Sequence, residues 1–220
     1  PSEKLEVNGQ IISNRRFMSD NSLELVSDYN NDDATSIISF KIDGQGASNE
    51  KMRIDSDGNV GIGTDSPSAP LHISTNNTTD ILLLESTGDS NLNAPDLILY
   101  RNSATPAADD YIGVLKFRGR HSGGGTKDYA LIEGVIVDPT NSSEESKIDF
   151  SVRKSGALES RMEVGPDKVE VSSTTGGVVM PRMTTTQRNA IASPTNGEMV
   201  YDTDLNKFYG YANNAWTALH

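Results

Sequence analysis

Met52-Arg-Ile-Asp-Ser-Asp-Gly-Asn-Val-Gly-Ile-Gly-Thr-Asp-Ser-Pro67 is the stretch on which the fold of this chain turns. Met52/Ile54 and Val60/Ile62 alternate with polar neighbours at period two, the pattern of a strand with one apolar face. Between them stands Asp57-Gly58-Asn59, residues that tolerate positive φ and reverse a chain. Gly61-Ile62-Gly63-Thr64 reads as one more extended segment with close backbone packing, and Pro67 stops it. Brief strands joined by tight turns are therefore the building style.

Working outward, the same style recurs at fixed offsets. Pro1-Ser2-Glu3-Lys4-Leu5-Glu6-Val7 returns as Pro67-Ser68-Ala69-Pro70-Leu71-His72-Ile73, at an offset of 67 − 1 = 66. Ile38, Phe40, Met52 and Ile54 return as Ile148, Phe150, Met162 and Val164, at an offset of 148 − 38 = 110. Self-similarity of this kind predicts a modular, quasi-linear object in which each unit leans on its neighbours. Such an object favours a structural or binding role over a solitary catalytic pocket.

Composition narrows the partners. Of 220 residues only 35% are hydrophobic and 6% aromatic, lean for a core that one chain must fill. Identical chains are expected to supply the missing burial. A net charge of −12 repels phosphate backbones and excludes nucleic acid as a natural partner. Cysteine is absent, so thiolate metal sites and Cys nucleophiles are excluded. The longest apolar runs, Ile81–Leu84 and Leu97–Tyr100, fall far below the roughly 20 residues of a membrane span. No membrane insertion is expected. No charged-then-apolar leader opens the chain, which begins inside its own repeat, so the natural polypeptide is expected to extend upstream.

Three units are predicted. Residues 1–65 form an N-terminal repeat unit with strands around Leu5/Val7, Ile37/Phe40, Met52/Ile54 and Val60/Ile62 and turns at Asn8-Gly9 and Asp43-Gly44. Residues 66–172 form a larger, β-sandwich-like unit, with strands at Leu71–Ser74, Ile81–Leu84, Leu97–Tyr100, Ile112–Arg118, Tyr129–Val137, Ile148–Val152 and Arg161–Val164. Tyr129–Val137 is nearly apolar on both faces, as a strand buried on two sides or at a subunit seam would be. Residues 173–220 form a small α+β module. Thr184-Thr-Thr-Gln187 is a capping box ahead of a short helix, and Met199–Asp202, Lys207–Tyr211 and Trp216–Leu219 form a meander.

Three stretches resemble a known family. Met52–Pro67 is similar to the "MRIDSSGNVGIGTTSP" segment that recurs in bacteriophage tail fibres, notably of marine and cyanobacterial phages. Leu97–Arg101, Gly113–Gly119, Tyr129–Asp138 and Ile148–Arg161 follow the skeleton of a larger repeat in such fibres. Val178-Val-Met-Pro-Arg-Met-Thr-Thr-Thr-Gln-Arg-Asn-Ala-Ile191 through Trp216 resembles a C-terminal module shared by phage fibres and bacterial surface proteins. The resemblance implies an all-β, elongated, modular homotrimer with a sandwich-like knob, located on the virion. It implies identical chains, other tail proteins and a host-surface glycan or protein as partners. Many such fibres end in a self-cleaving chaperone domain, and no such pattern occurs in these residues.

Catalytic and ligand readings compete with plainer ones. Asp55-x-Asp57-x-Asn59 and Asp202-x-Asp204-x-Asn206 have the opening spacing of a calcium loop, but Val60 and Lys207 stand where the loop needs Gly. Gly44-Gln-Gly46, Gly61-Ile-Gly63 and Gly123-Gly-Gly125 lack the remaining marks of phosphate-binding loops. No metal or cofactor is expected. His72, His121 and His220 fit no nucleophile-and-base pattern. Glu133, Asp138, Glu144, Glu145 and Asp149 are the carboxylates from which a glycosidase pair would be drawn, with Glu133 interrupting an apolar strand and either pairing with Arg118 or Arg120 or pointing out of the sheet. A non-enzymatic chain is the leading expectation; a fibre-borne polysaccharide depolymerase and a bacterial surface adhesin are the alternatives. Tyr209, Tyr211, Asn213, Asn214 and Trp216 are candidate glycan or receptor contacts, because rings stack on sugar CH groups while amides bond hydroxyls. The competing account makes the rings the module's own core. Phe40, Ile132, Ile136 and Phe150 are the candidate trimer core.

Overall fold

A computed structural model describes residues 25–27, 35–44, 46–76, 80–88, 94–173 and 176–219. The expected strand at Leu5/Val7, the Asn8-Gly9 turn, the first copy of the Pro-Ser echo and His220 lie outside them. The chain is nearly all β, and it divides into two compact units, Pro1–Asp96 and Leu97–His220.

In the first unit, β1 (Ile38–Lys41), β2 (Glu50–Ile54), β3 (Val60–Ile62) and β4 (Leu71–Ile73) make one sheet in that order. β1–β2 and β2–β3 are antiparallel, whereas β3–β4 is parallel. The register pairs Ile38 with Ile54, Phe40 with Met52, Met52 with Ile62, Ile54 with Val60, Val60 with Leu71, and Ile62 with Ile73. Opposed residues share a face, so all eight apolar side chains stand on one side. Ser39, Arg53, Gly61 and His72 take the other.

The glycines of the opening motif explain themselves here. Gly63 has φ +70, and a Cβ on it would lie 2.2 Å from the Ser74 carbonyl oxygen. The parallel strand approaches as closely as backbone permits, which only Gly allows. Asp55 organises the preceding turn: its Oδ1 accepts from the amides of Asp57 (3.0 Å) and Asn59 (2.8 Å), and its Oδ2 from Asn59 Nδ2 (3.2 Å). Those bonds, the Asn59 amide foremost, hold the carboxyl below its ordinary range against the opposing cost of desolvation. The spacing that mimics a calcium loop is an Asx turn.

The second unit contains two sheets. β5 (Tyr111–Arg120), β6 (Thr126–Asp138), β7 (Glu145–Lys154), β8 (Ala157–Val164) and β9 (Val169–Val171) form an antiparallel meander. Its hairpin β7–β8 pairs Ile148 with Val164 and Phe150 with Met162, the pairing that β1–β2 gives to Ile38, Ile54, Phe40 and Met52. The second sheet runs β10 (Arg182–Met183), β11 (Met199–Asp202), β12 (Lys207–Ala212) and β13 (Ala215–Ala218), with β10 parallel to β11 and the others antiparallel. Its helix α1 is Thr185–Asn189. The Thr184 hydroxyl accepts from the Gln187 amide and the Gln187 side chain accepts from the Thr184 amide, a complete capping box. Asn213 and Asn214 have φ 54 and 60, the two positive values a type I′ hairpin needs.

Three expectations are corrected. The strand at Leu71–Ile73 joins the first sheet as β4 and not the larger one, because Gly61 and Gly63 leave room beside β3. Ile81–Leu84 and Leu97–Tyr100 belong to no helix or sheet, because among the described residues no neighbouring strand meets their backbone. The second layer that a sandwich requires is not supplied by the described residues of one chain; β5–β9 is a single layer.

Candidate assembly and binding surfaces

The register of β5–β9 sorts its side chains sharply. Three rows cross one face: Phe117–Ala130–Val152, Leu115–Ile132–Phe150–Met162–Val171, and Gly113–Gly134–Ile148–Val164–Val169. All of these are apolar, and polar residues enter only at the ends of the face, where Glu159 stands opposite Val152 and Ser146 opposite Ile136. Yet Leu115, Phe117, Ile148, Val152, Val164, Val169 and Val171 are exposed, and Ile132 and Phe150 only half-buried. Among the described residues just two hydrophobic side chains are buried, Val135 at 6% and Val200 at 4% exposure. A contiguous apolar face of this extent marks an interaction surface. All four candidate trimer-core residues fall on such faces: Phe40 in the first sheet, and Ile132, Ile136 and Phe150 in the larger one.

The opposite face of β5–β9 is polar. Glu133, Asp149, Glu163 and Glu170 stand directly opposite one another across β6, β7, β8 and β9. Like charges so placed repel, and three of the four are compensated. Ser151 Oγ (2.9 Å) and Ser160 Oγ (2.7 Å) donate to Asp149, Lys147 Nζ pairs with Glu163 at 2.9 Å, and Lys168 pairs with Glu170. Glu133 receives no hydrogen bond among the described residues. Burial first, then the Asp149 charge, push its carboxyl above the ordinary value of 4.5, against the pull of Lys116. The expected partners are engaged elsewhere: Arg118 pairs with Asp128 at 2.6 Å and Arg120 donates to the Gly124 carbonyl. This group lies in a cavity of about 220 Å³ with Asp109, Tyr111, Lys147 and Ser151. Glu144, Glu145 and Asp138 line a different one, about 310 Å³, with Pro106, Ile112, Ile136 and Pro139. The candidate acids are thus divided between two places.

Glu133→Gln tests the uncompensated carboxylate. A raised folded-state pKa means the charged form is disfavoured on folding, so wild type loses stability as pH rises from 4.5 through that folded value. The glutamine variant is expected to melt higher than wild type at pH 7, and the gap to close below pH 4.5. Thermal melts across that range measure it; an unchanged or lower midpoint at pH 7 contradicts the assignment.

The C-terminal sheet places its aromatics on both sides. Val200, Asp202, Tyr209, Tyr211, Trp216 and Ala218 share one face, and Met199, Tyr201 and Phe208 the other. On the first face lies Arg188, 6% exposed, with its guanidinium carbon 3.7 Å from the Tyr209 ring centroid. Arg188 Nη1 is 2.9 Å from Asp202 Oδ2, an ion pair whose angle is too poor for a hydrogen bond. Asp202 is wholly buried, and its Oδ1 accepts from the Asp204 and Leu205 amides while Oδ2 accepts from Thr185 Oγ1 at 2.7 Å. Burial opposes ionisation there, but the Thr185 hydroxyl, the two amides and the Arg188 charge outweigh it and hold the carboxyl below its ordinary value.

The proposed glycan contacts therefore separate. Tyr209 lies half-buried beneath Arg188, and Tyr211 and Trp216 meet edge-to-face at 5.2 Å, also half-buried. Asn213 and Asn214 are exposed at the hairpin tip. The sequence reading passed over Arg188 and Asp202 as a pair. Their signal was present: a cation in a capped helix and an acid at a strand end, in a module with few apolar residues. Among the described residues no group of His, Asp and Glu side chains is arranged to hold a metal ion.

No curated protein matches the chain. Residues 164–220, which hold α1 and the C-terminal sheet, match the family model described as a phage tail like trimerisation region, a similarity that supports a phage tail-like structural protein, an identical-chain trimer and a virion-associated location.

Proposed function

We propose that this chain is a tail-fibre segment that attaches a virion to its host through multivalent binding by three identical copies, without chemistry of its own. One observation carries the reading: the first sheet and β5–β9 each present a largely apolar face whose side chains one chain leaves exposed or half-buried. Three copies that close these faces on one another bury what a single chain does not. The polar face of β5–β9 and the Asn213-Asn214 tip then stay in water, where a host surface is met. Three equal sites on one rod, multiplied over several rods, raise a weak affinity by roughly 10²–10⁴ with no new contact.

Light scattering on the purified chain is expected to give three times 23.7 kDa, about 71 kDa. Labelled trimer is expected to adhere to host cells, and single chains to adhere far less. A folded 23.7 kDa species, or adhesion independent of assembly, contradicts the proposal. A depolymerase reading draws on Glu133, whose raised pKa beside Asp149 resembles the electrostatics of a glycosidase pair. Release of reducing ends from host polysaccharide, abolished by Glu133→Gln, would establish it instead.

A further inference from the structure

Ile81–Leu84 and Leu97–Tyr100 carry eight consecutive-run apolar side chains, exposed from 44% at Leu99 to 79% at Ile98. Neither run belongs to a helix or strand, and among the described residues none of their backbone N–H or C=O groups makes a hydrogen bond. Such sequences, apolar on both faces, suit a strand with neighbours on each side and cover on both surfaces. Among the described residues of one chain they find no neighbouring strand. Leu97–Tyr100 is nonetheless held in place: a Cβ on Gly113 would lie 2.7 Å from Leu99 Cβ, so Leu99 occupies the space beside that glycine. Arg101 anchors the end of the run, with Nη1 2.9 Å from Asp110 Oδ1 and donating to the Tyr111 carbonyl at 3.3 Å.

We propose that Ile81–Leu84 and Leu97–Tyr100 are strands completed only between chains, by backbone hydrogen bonds to a second copy of this chain. The inference rests on the trimeric reading above and specifies how the copies are joined. Three considerations favour a copy of the same chain as the occupant. The polypeptide carries a match to a trimerisation region, so copies are brought together at high effective concentration. Each copy brings an equal row of unpaired donors and acceptors, which a strand from an identical chain satisfies. Leu99 also sits beside the Gly113–Gly134 row, so Leu97–Tyr100 adds to the uncovered apolar surface of β5–β9.

Hydrogen exchange read by mass spectrometry tests this on the purified full chain, with no other protein present. In a sample shown to be trimeric by light scattering, the amides of 81–84 and 97–100 are expected to exchange about a hundredfold or more slower than in an unstructured peptide. A trimer in which they exchange like such a peptide overturns the inference while leaving the trimer intact. Protection that survives in dissociated single chains assigns the pairing to the chain itself and also overturns it. A protein that is monomeric throughout defeats both readings.

A substitution pair gives an independent check. Leu83→Pro and Ile98→Pro remove no hydrogen bond made among the described residues, but each deletes a donor to a partner strand. Trimer yield is expected to fall at least tenfold further than with Leu83→Ala and Ile98→Ala; equal losses for Pro and Ala count against inter-chain pairing.

Discussion

Phe150→Glu is expected to convert the assembled protein into single chains, with the mass by light scattering falling from about 71 kDa to 23.7 kDa. Phe150 sits at the centre of the row Leu115–Ile132–Phe150–Met162–Val171, flanked on either side by further apolar rows. Half-buried in one chain, it gains the rest of its burial only when another surface closes over it. Full burial of a ring this size stabilises by about 1.5–3 kcal/mol, and three symmetry-related copies multiply the term. A carboxylate in its place must be desolvated without a partner, which costs several kcal/mol more. Lys116→Ala, on the opposite face, is the matched control and should leave the mass unchanged. A trimer that tolerates Phe150→Glu with an unaltered melting midpoint would remove this face from the seam.

Arg188→Met is the second large effect, and it acts within a chain. Arg188 covers Tyr209 and stands against the only fully buried large side chain among the described residues, Asp202. Methionine keeps the stem volume but leaves a buried carboxylate without its cation. Breaking such a pair by removing one member costs roughly 3–5 kcal/mol. In a module whose sole buried hydrophobic residue among those described is Val200, that loss is expected to lower the urea midpoint of the C-terminal sheet sharply. Tryptophan fluorescence reports it directly, since Trp216 is the only Trp and lies on the same face. The pH dependence follows from the lowered carboxyl of Asp202. A folded pKa below the unfolded value of 3.8 contributes stability that is fully present above 3.8 and is lost as pH falls through the folded value. Wild type is therefore expected to lose its C-terminal sheet on acidification below 3.8, and Arg188→Met to show a shallower dependence in urea titrations. Identical acid profiles for the two would mean the pair contributes nothing.

Much of this was legible in the residues, and the reasons are local. Asp55, Gly58, Gly61 and Gly63 report on backbone conformation over a few positions, so a turn and a close strand approach follow from their chemistry alone. The capping box at Thr184 and Gln187 and the Asn213-Asn214 hairpin are of the same kind. The echo between residues 38–54 and 148–164 was visible as spacing, and both stretches adopt one hairpin register. Less legible were relations that depend on which strand lies beside which. Leu71–Ile73 carries nothing that distinguishes pairing with Val60–Ile62 from membership of the later sheet. Glu133 was read beside Arg118 or Arg120, but a register shift at Phe117/Arg118 hands Arg118 to Asp128.

The linear order of residues was sufficient for the strand-and-turn grammar, the acidic charge, the absence of cysteine chemistry and the presence of more apolar surface than one chain hides. Three-dimensional pairing was needed to gather eight side chains on one side of the first sheet, to set four carboxylates in one row, and to bury Arg188 against Asp202. The difference is physical. Turn geometry and strand alternation arise from interactions across a few bonds, whereas facing and burial depend on register between segments far apart in the chain, where one residue of slip exchanges the wet side for the dry one.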